Sequence, residues 1–244
     1  MSWSLEIAVQ DLAGVRAAMA GGASRVELGS ALALGGLTPS LALIEAAVNL
    51  GLPVHVLIRT REGNFDFTED ERAVMLSDVR AAVRRRVAGV VVGATSGGAI
   101  DQAFVAEVRE LAADVHVTFH RAFDTLADRA AALESLVGLG VDRVLTSGGA
   151  SNAADALGEL ASLVRLADGR VEVMAGGGIT AANVAAVARC GVDAVHASAK
   201  AFIDEDVPIG LGTLAGPGRT QRAITDPAAV KALRSALDEL SGPA

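Results

Sequence analysis

The chain has 244 residues, 51% of them hydrophobic, 20% charged and 3% aromatic, with a formal net charge of -8. This length can bury a full core in one domain, and the acidic balance excludes a general attraction to nucleic acid or anionic lipid. Cys190 is the only cysteine, which excludes an intrachain disulfide; with an N-terminus, MSWSLEIAV, that lacks a basic-then-apolar leader, it points to the cytoplasm.

Leu5 to Val9 reads as a strand, followed by a helix from Asp11 to Ala20 that Asp11 caps and Gly21 and Gly22 stop. Arg25 to Leu28 is a second strand. The weakly charged stretch Gly29 to Ile44 is broken by Gly35, Gly36 and Pro39, so no membrane span is expected there. Ser40 to Leu50 reads as helix, Val54 to Ile58 as strand, Arg59 to Thr68 as a polar loop and Glu69 to Arg86 as a long helix. Gly89 to Val92 is the fourth strand, Asp101 to Ala112 helix, and Val115 to Phe119 the fifth strand. Then follow a helix at Asp128 to Leu139, a strand at Arg143 to Thr146 and a helix at Ala153 to Leu166. Strands at Val171 to Ala175 and Ala194 to Ala197 flank a helix from Thr180 to Ala188, and Pro227 to Leu240 forms a closing helix.

Eight strands alternating with helices predict an α/β fold, a single-domain (β/α)8 TIM barrel over residues 1–244. A doubly wound open sheet would need a glycine-rich turn after the first strand, and Val9-Gln10-Asp11-Leu12 is not one.

Strand parity separates two faces. Ile7, Val9, Val26, Leu28, Val54, Val56, Ile58, Val117, Phe119, Val144, Val173 and Val195 fall on the side that meets helices. The opposite side carries Glu6, Arg25, Glu27, His55, Arg59, His116, Thr118, His120, Arg143, Ser147, Glu172, His196 and Ser198, so the interior is expected to be polar. Arg25, His116, Arg143 and Glu172 lie near strand starts and suit a structural network. Glu27, Arg59, His120 and Ser147 lie near strand ends, where barrel enzymes place function.

In VHVTFHRAFD, a strand delivers His120, Arg121 and Asp124 to that end, and Glu27, Arg59, His120 and Asp124 are expected to converge as candidate catalytic residues. Gly176, Gly177 and Gly178 follow the seventh strand, and Ser198 and Lys200 the eighth. These are positions where a barrel can hold phosphate, although the glycines would equally serve a tight turn. Arg59 and Arg61 bring two guanidinium forks suited to a carboxylate or phosphate, or to pairing with Glu27 or Asp124. Arg121 and Ser147 complete the anion-binding candidates. No metal ligands are assigned: His116 and His120 stand about 13 Å apart along one strand, and there is no HxH, HExxH or CxxC.

Together RVEL (Arg25 to Leu28), GGLTPS (Gly35 to Ser40), the IRTREGNF loop, VTFHRAFD, RVLTSGG (Arg143 to Gly149) and AGGGIT closely resemble the CutC family, the copper homeostasis proteins. The resemblance implies a cytosolic barrel, a dimer or larger, linked to copper tolerance. By motif match it places Glu27, Arg59, Arg61, His120, Arg121, Asp124, Ser147 and Gly177 on shared rim positions. Gly29 stands where the family commonly has cysteine, and Thr60, Glu62 and Asn64 depart from its RPRGGDF loop. Copper is the cofactor the resemblance implies, yet Cu(I) prefers clustered thiolate and thioether donors. Cys190 sits at a helix end away from the candidate site, and Met1, Met19, Met75 and Met174 form no MxxM-type cluster, so no tight thiolate site is expected in one subunit. The expected partner is a small anionic molecule, with no nucleic acid and no membrane. The residue chemistry also allows an enzyme of lyase, isomerase or hydrolase type acting on such a molecule.

Overall fold

The computed structural model describes residues 3–207 and 218–240, so Met1 lies outside the described residues. Eight parallel strands close into a barrel: β1 (Ser4–Val9), β2 (Arg25–Leu28), β3 (Val54–Leu57), β4 (Gly89–Val92), β5 (His116–Phe119), β6 (Arg143–Thr146), β7 (Glu172–Gly176) and β8 (Ala194–Ala197). Each strand pairs with its sequence neighbours, and β1 pairs with β8, placing Glu6 opposite His196 at the closing seam. The helices are α1 (Leu12–Ala20), α2 (Leu41–Val48), α3 (Glu69–Val83), α4 (Gln102–Leu111), α5 (Arg129–Gly138), α6 (Leu157–Ala167), α7 (Val184–Ala188) and α8 (Pro227–Leu240).

Local chemistry sets most helix starts. The side chains of Asp11, Ser40, Asp101 and Asp128 each accept from a backbone N–H three residues on. Thr68 and Glu71 form a reciprocal capping box at α3. Each such cap is worth about 1 kcal/mol. All twelve strand residues expected to meet helices are no more than 1% exposed and join one continuous core with side chains such as Phe104, Leu136 and Leu160. Full burial of each large apolar side chain contributes roughly 1.5–3 kcal/mol.

The barrel interior is polar, as parity predicts. Glu6, Arg25, Glu27, His55, Thr118, His120 and Arg143 are all buried, beside a small separate cluster of Leu145, Met174 and Ala194. Ion pairing makes this tolerable. Arg25 Nε donates to Glu6 Oε2 at 2.5 Å, and Arg143 Nε donates to Glu172 Oε2 at 2.7 Å. The residues near strand starts thus divide into two ion pairs, with the His116 ring packed 5.9 Å from that of His55.

Three stretches depart from the expected elements. The helix expected from Ala153 is split into a turn at Ala153–Asp155 and α6, because Ala156 sits at φ -129° and ψ 35°. The helix expected from Thr180 begins only at Val184: Asn183 Oδ1 accepts from Thr180 N and its Nδ2 donates to Gly178 O, holding the segment as a turn. The segment after β8, to which the sequence assigns no element, is an antiparallel hairpin of β9 (Lys200–Val207) and β10 (Gly218–Thr225), paired from Lys200 with Thr225 to Val207 with Gly218. Among the described residues no helix is long and apolar enough to cross a membrane.

Candidate functional site

At the C-terminal mouth of the barrel two adjoining cavities share Glu27, Gly35 and His196. The smaller, about 150 Å³, is also lined by Arg59, Phe65, His120 and Arg121. The larger, about 540 Å³, runs out under the hairpin past Ser198, Lys200, Phe202 and residues 220–225.

Each polar side chain is seated by its own strand end. Glu27, one residue before the end of β2, is level with Ala8 and His55 on the flanking strands. Arg59 leaves β3 with its N–H on Thr38 Oγ1 at 2.9 Å. Its guanidinium donates to the carbonyls of Leu34, Gly36 and Gly63 and lies 5.1 Å over the Phe65 ring. His120 leaves β5 with Nδ1 accepting from Ala122 N at 3.1 Å, so the neutral ring carries its proton on Nε2. Gly93 makes room for that ring, since a Cβ there would overlap it.

Three buried polar atoms on the walls have no hydrogen-bond partner among the described residues: Arg59 Nε, His120 Nε2 and Glu27 Oε2. Such atoms are costly unless something else satisfies them. Burial, helped by the Arg59 charge, pushes His120 down to about 3, so it is neutral at physiological pH. Burial lifts Glu27 to about 7, with the Glu6 charge adding and His196 opposing. Burial acts to raise Glu6 too, yet the hydrogen bond from His196 Nδ1 at 2.8 Å and the Arg25 charge hold its carboxyl well below the usual range. His196 is raised, because Glu27 and Glu6 outweigh its burial. One ligand atom from each of Glu6, Glu27 and His196 lies within 4.8 Å of the other two.

A model of the CutC family matches residues 3–201, which include all eight barrel strands. The chain belongs to the CutC family. A family protein CutC of Agrobacterium fabrum is 43% identical over 235 residues, covering 96% of this chain and 93% of that protein. Its counterpart in Rhizobium meliloti is 41% identical over 238 residues, covering 96% of each. A solved structure named for copper homeostasis, CutC from Streptococcus agalactiae, superposes with a TM-score of 0.77 at 31% identity, over 80% of this chain and 98% of that one.

In this chain Glu27, Arg59, His120 and Arg121 meet at one cavity, and Ser198 and Lys200 line its larger neighbour. Asp124 and Ser147 stand behind that wall. Asp124 accepts from Arg121 Nε, Thr146 Oγ1, Ser147 N and Gly149 N, and the Ser147 hydroxyl accepts from Arg121 Nη2. Asp124 therefore reaches the mouth only through Arg121. Arg61 turns away from the mouth: it pairs with Glu71 at 2.6 Å and donates to the carbonyls of Glu62, Asn64 and Asp66. Gly176 is level with His196 in the β7–β8 ladder, whereas Gly177 and Gly178 pack against Arg121 and Asn152. The five-residue α7 starts beyond them.

The sequence reading assigned no role at the mouth to Glu6 or His196. A signal was available, since a closed barrel obliges the first and eighth strands to pair, and both residues have inward parity.

Proposed function

We propose that this chain acts in copper homeostasis, in the cytoplasm and as a homodimer, through the cavity at its barrel mouth. The family match over residues 3–201 carries this reading, because it spans every strand that supplies the mouth. The lone cysteine and the net charge of -8 suit a reducing cytoplasm. Phe202 and Ile203, 55% and 36% exposed on the hairpin, give apolar surface for a second copy.

The molecule the mouth takes is small and anionic. Arg59 Nε and His120 Nε2 are buried donors awaiting an acceptor in a cavity of about 150 Å³, with Arg121 at its edge. With His120 pushed down to about 3, an acid/base role at neutral pH falls to Glu27, lifted to about 7, rather than to His120.

The soft donors that Cu(I) prefers are elsewhere. Cys190 follows α7 with its thiol on the Ala186 carbonyl at 3.6 Å, and Met174 Sδ accepts from Arg25 at 3.2 Å. Gly29 offers no thiolate beside Glu27. A tight Cu(I) site does not fit these residues, whereas imidazole and carboxylate line the mouth.

The test is copper tolerance and cell copper content in a strain lacking the gene, with the gene restored as wild type or as Glu27→Gln. Wild type is expected to restore tolerance and Glu27→Gln to fail. A deletion strain with unchanged tolerance and copper content would refute the role.

A further inference from the structure

We propose that Glu27 and His196, backed by Glu6, bind a borderline divalent cation of the Zn²⁺ or Cu²⁺ type at the floor of the barrel mouth. This goes beyond the copper-homeostasis reading, because it follows from the donors and their geometry alone.

The three residues come from β2, β8 and β1, consecutive around the seam, and one ligand atom of each lies within 4.8 Å of the others. At metal–ligand distances of about 2.0–2.2 Å, ligands around a tetrahedral ion stand roughly 3.4 Å apart. The separation left to close is therefore at most about 1.4 Å.

A second observation points to a ligand independently. Glu27 is 7% exposed, and its Oε2 has no hydrogen-bond partner among the described residues. A carboxylate oxygen so placed is costly unless a cation or a donor meets it. The cation would supply what the protein does not.

Glu6 explains why the imidazole is ready. Its Oε1 accepts from His196 Nδ1 at 2.8 Å, which leaves the lone pair on Nε2, while Oε2 is held by Arg25 at 2.5 Å. A carboxylate that fixes the tautomer and angle of a ligating histidine is the usual support for such a ligand. Once Glu27 and His196 give up their protons as the ion binds, the two carboxylates bring two negative charges and Arg25 returns one positive, leaving a net attraction for a dication.

Ligand chemistry decides the class of ion. One imidazole with carboxylates suits Zn²⁺ and Cu²⁺, whereas Ca²⁺ and Mg²⁺ favour all-oxygen shells. Glu27 and His196 both line the open cavities, so the remaining coordination positions face space in which an anion beside Arg59 could complete the shell. The site is thus an open one.

The test uses the full chain, stripped with chelator, titrated with Zn²⁺ and Cu²⁺ by calorimetry, with the Cu²⁺ form read by electron paramagnetic resonance. Wild type, Glu27→Gln, His196→Gln and the surface control Glu134→Gln are compared. We expect one ion per subunit in wild type and control, binding at least about tenfold weaker in the two site variants, and the signature of a single imidazole nitrogen that His196→Gln abolishes. Wild-type affinity in Glu27→Gln, or the nitrogen signal surviving in His196→Gln, would overturn the site and leave the copper-homeostasis role standing. If either variant fails to fold, the wild-type spectrum still decides: thiolate or several imidazoles at copper rule this site out.

Discussion

Glu6 on β1 and His196 on β8 face each other in register across the seam that closes the barrel, joined by a 2.8 Å hydrogen bond. Because Glu6 also holds Arg25 on β2, one buried carboxylate ties three strands. Glu6→Gln would leave the Arg25 charge buried without its anion, and we expect a loss of about 3–5 kcal/mol. The urea midpoint should fall with the m-value unchanged. An unmoved midpoint would mean that the backbone ladder alone holds the seam.

His120 makes stability depend on pH. Burial holds the folded imidazole down to about 3, while the unfolded one titrates near its ordinary value of 6.5. Between those values the unfolded chain binds the proton and the native chain does not. Stability is therefore complete above the unfolded value and is lost as pH falls toward 3, by on the order of a few kcal/mol. His55, also held down to about 3 by burial, steepens the slope. Urea midpoints measured from about pH 7 to pH 5 should fall less in His120→Gln than in wild type. Identical slopes would place His120 in water.

Gly93 carries a steric demand from the same ring. An added Cβ would overlap His120 and press on Ala122, so Gly93→Ala should cost about 1–3 kcal/mol. It should also shift the His120 imidazole resonances. Wild-type stability together with unmoved resonances would contradict this seating.

Asp124 spends both oxygens on the loop after β6 and on Arg121. In Asp124→Asn one oxygen becomes an N–H₂ group that faces backbone donors, which should cost about 2–3 kcal/mol. Affinity for a small anion such as phosphate should weaken as Arg121 loses its brace. An anion affinity that survives a clear loss of stability would separate Arg121 from binding.

Cu(I) competition against a chelator should show weak binding, equal in wild type and Cys190→Ser, because Cys190 lies half-buried beyond α7, away from the mouth. A tight site with one ion per subunit that survives Cys190→Ser would send attention to the histidines.

Period-two alternation exposed the barrel plainly: residues such as Val26 and Val56 alternate with Arg25, Glu27 and His55, and the two sets fall on opposite faces. The hairpin was hidden because Phe202, Ile203 and Asp204 are all exposed, so no buried face imposes a pattern on the sequence. Asp124 and Arg61 look like mouth residues in their motifs, yet Asp124 is held by Arg121, Thr146 and the backbone after β6, and Arg61 by Glu71 and nearby carbonyls, which motif spacing does not report. The Glu6–His196 contact spans 190 positions and exists only once the first and last barrel strands meet.

The hairpin gives the larger cavity a wall drawn from outside the barrel: Phe202 and residues 220–225 stand over a floor of Glu27 and His196. It leaves the barrel just after β8 and rejoins it just before α8, with Gln10 reaching Ala223 near its base. Admission and chemistry are therefore separable traits of this chain. Exchanging the segment between relatives would change which molecules reach Glu27 while leaving the charge balance of Glu6, Arg25 and His196 intact, so a new preference could arise with no substitution in any barrel strand.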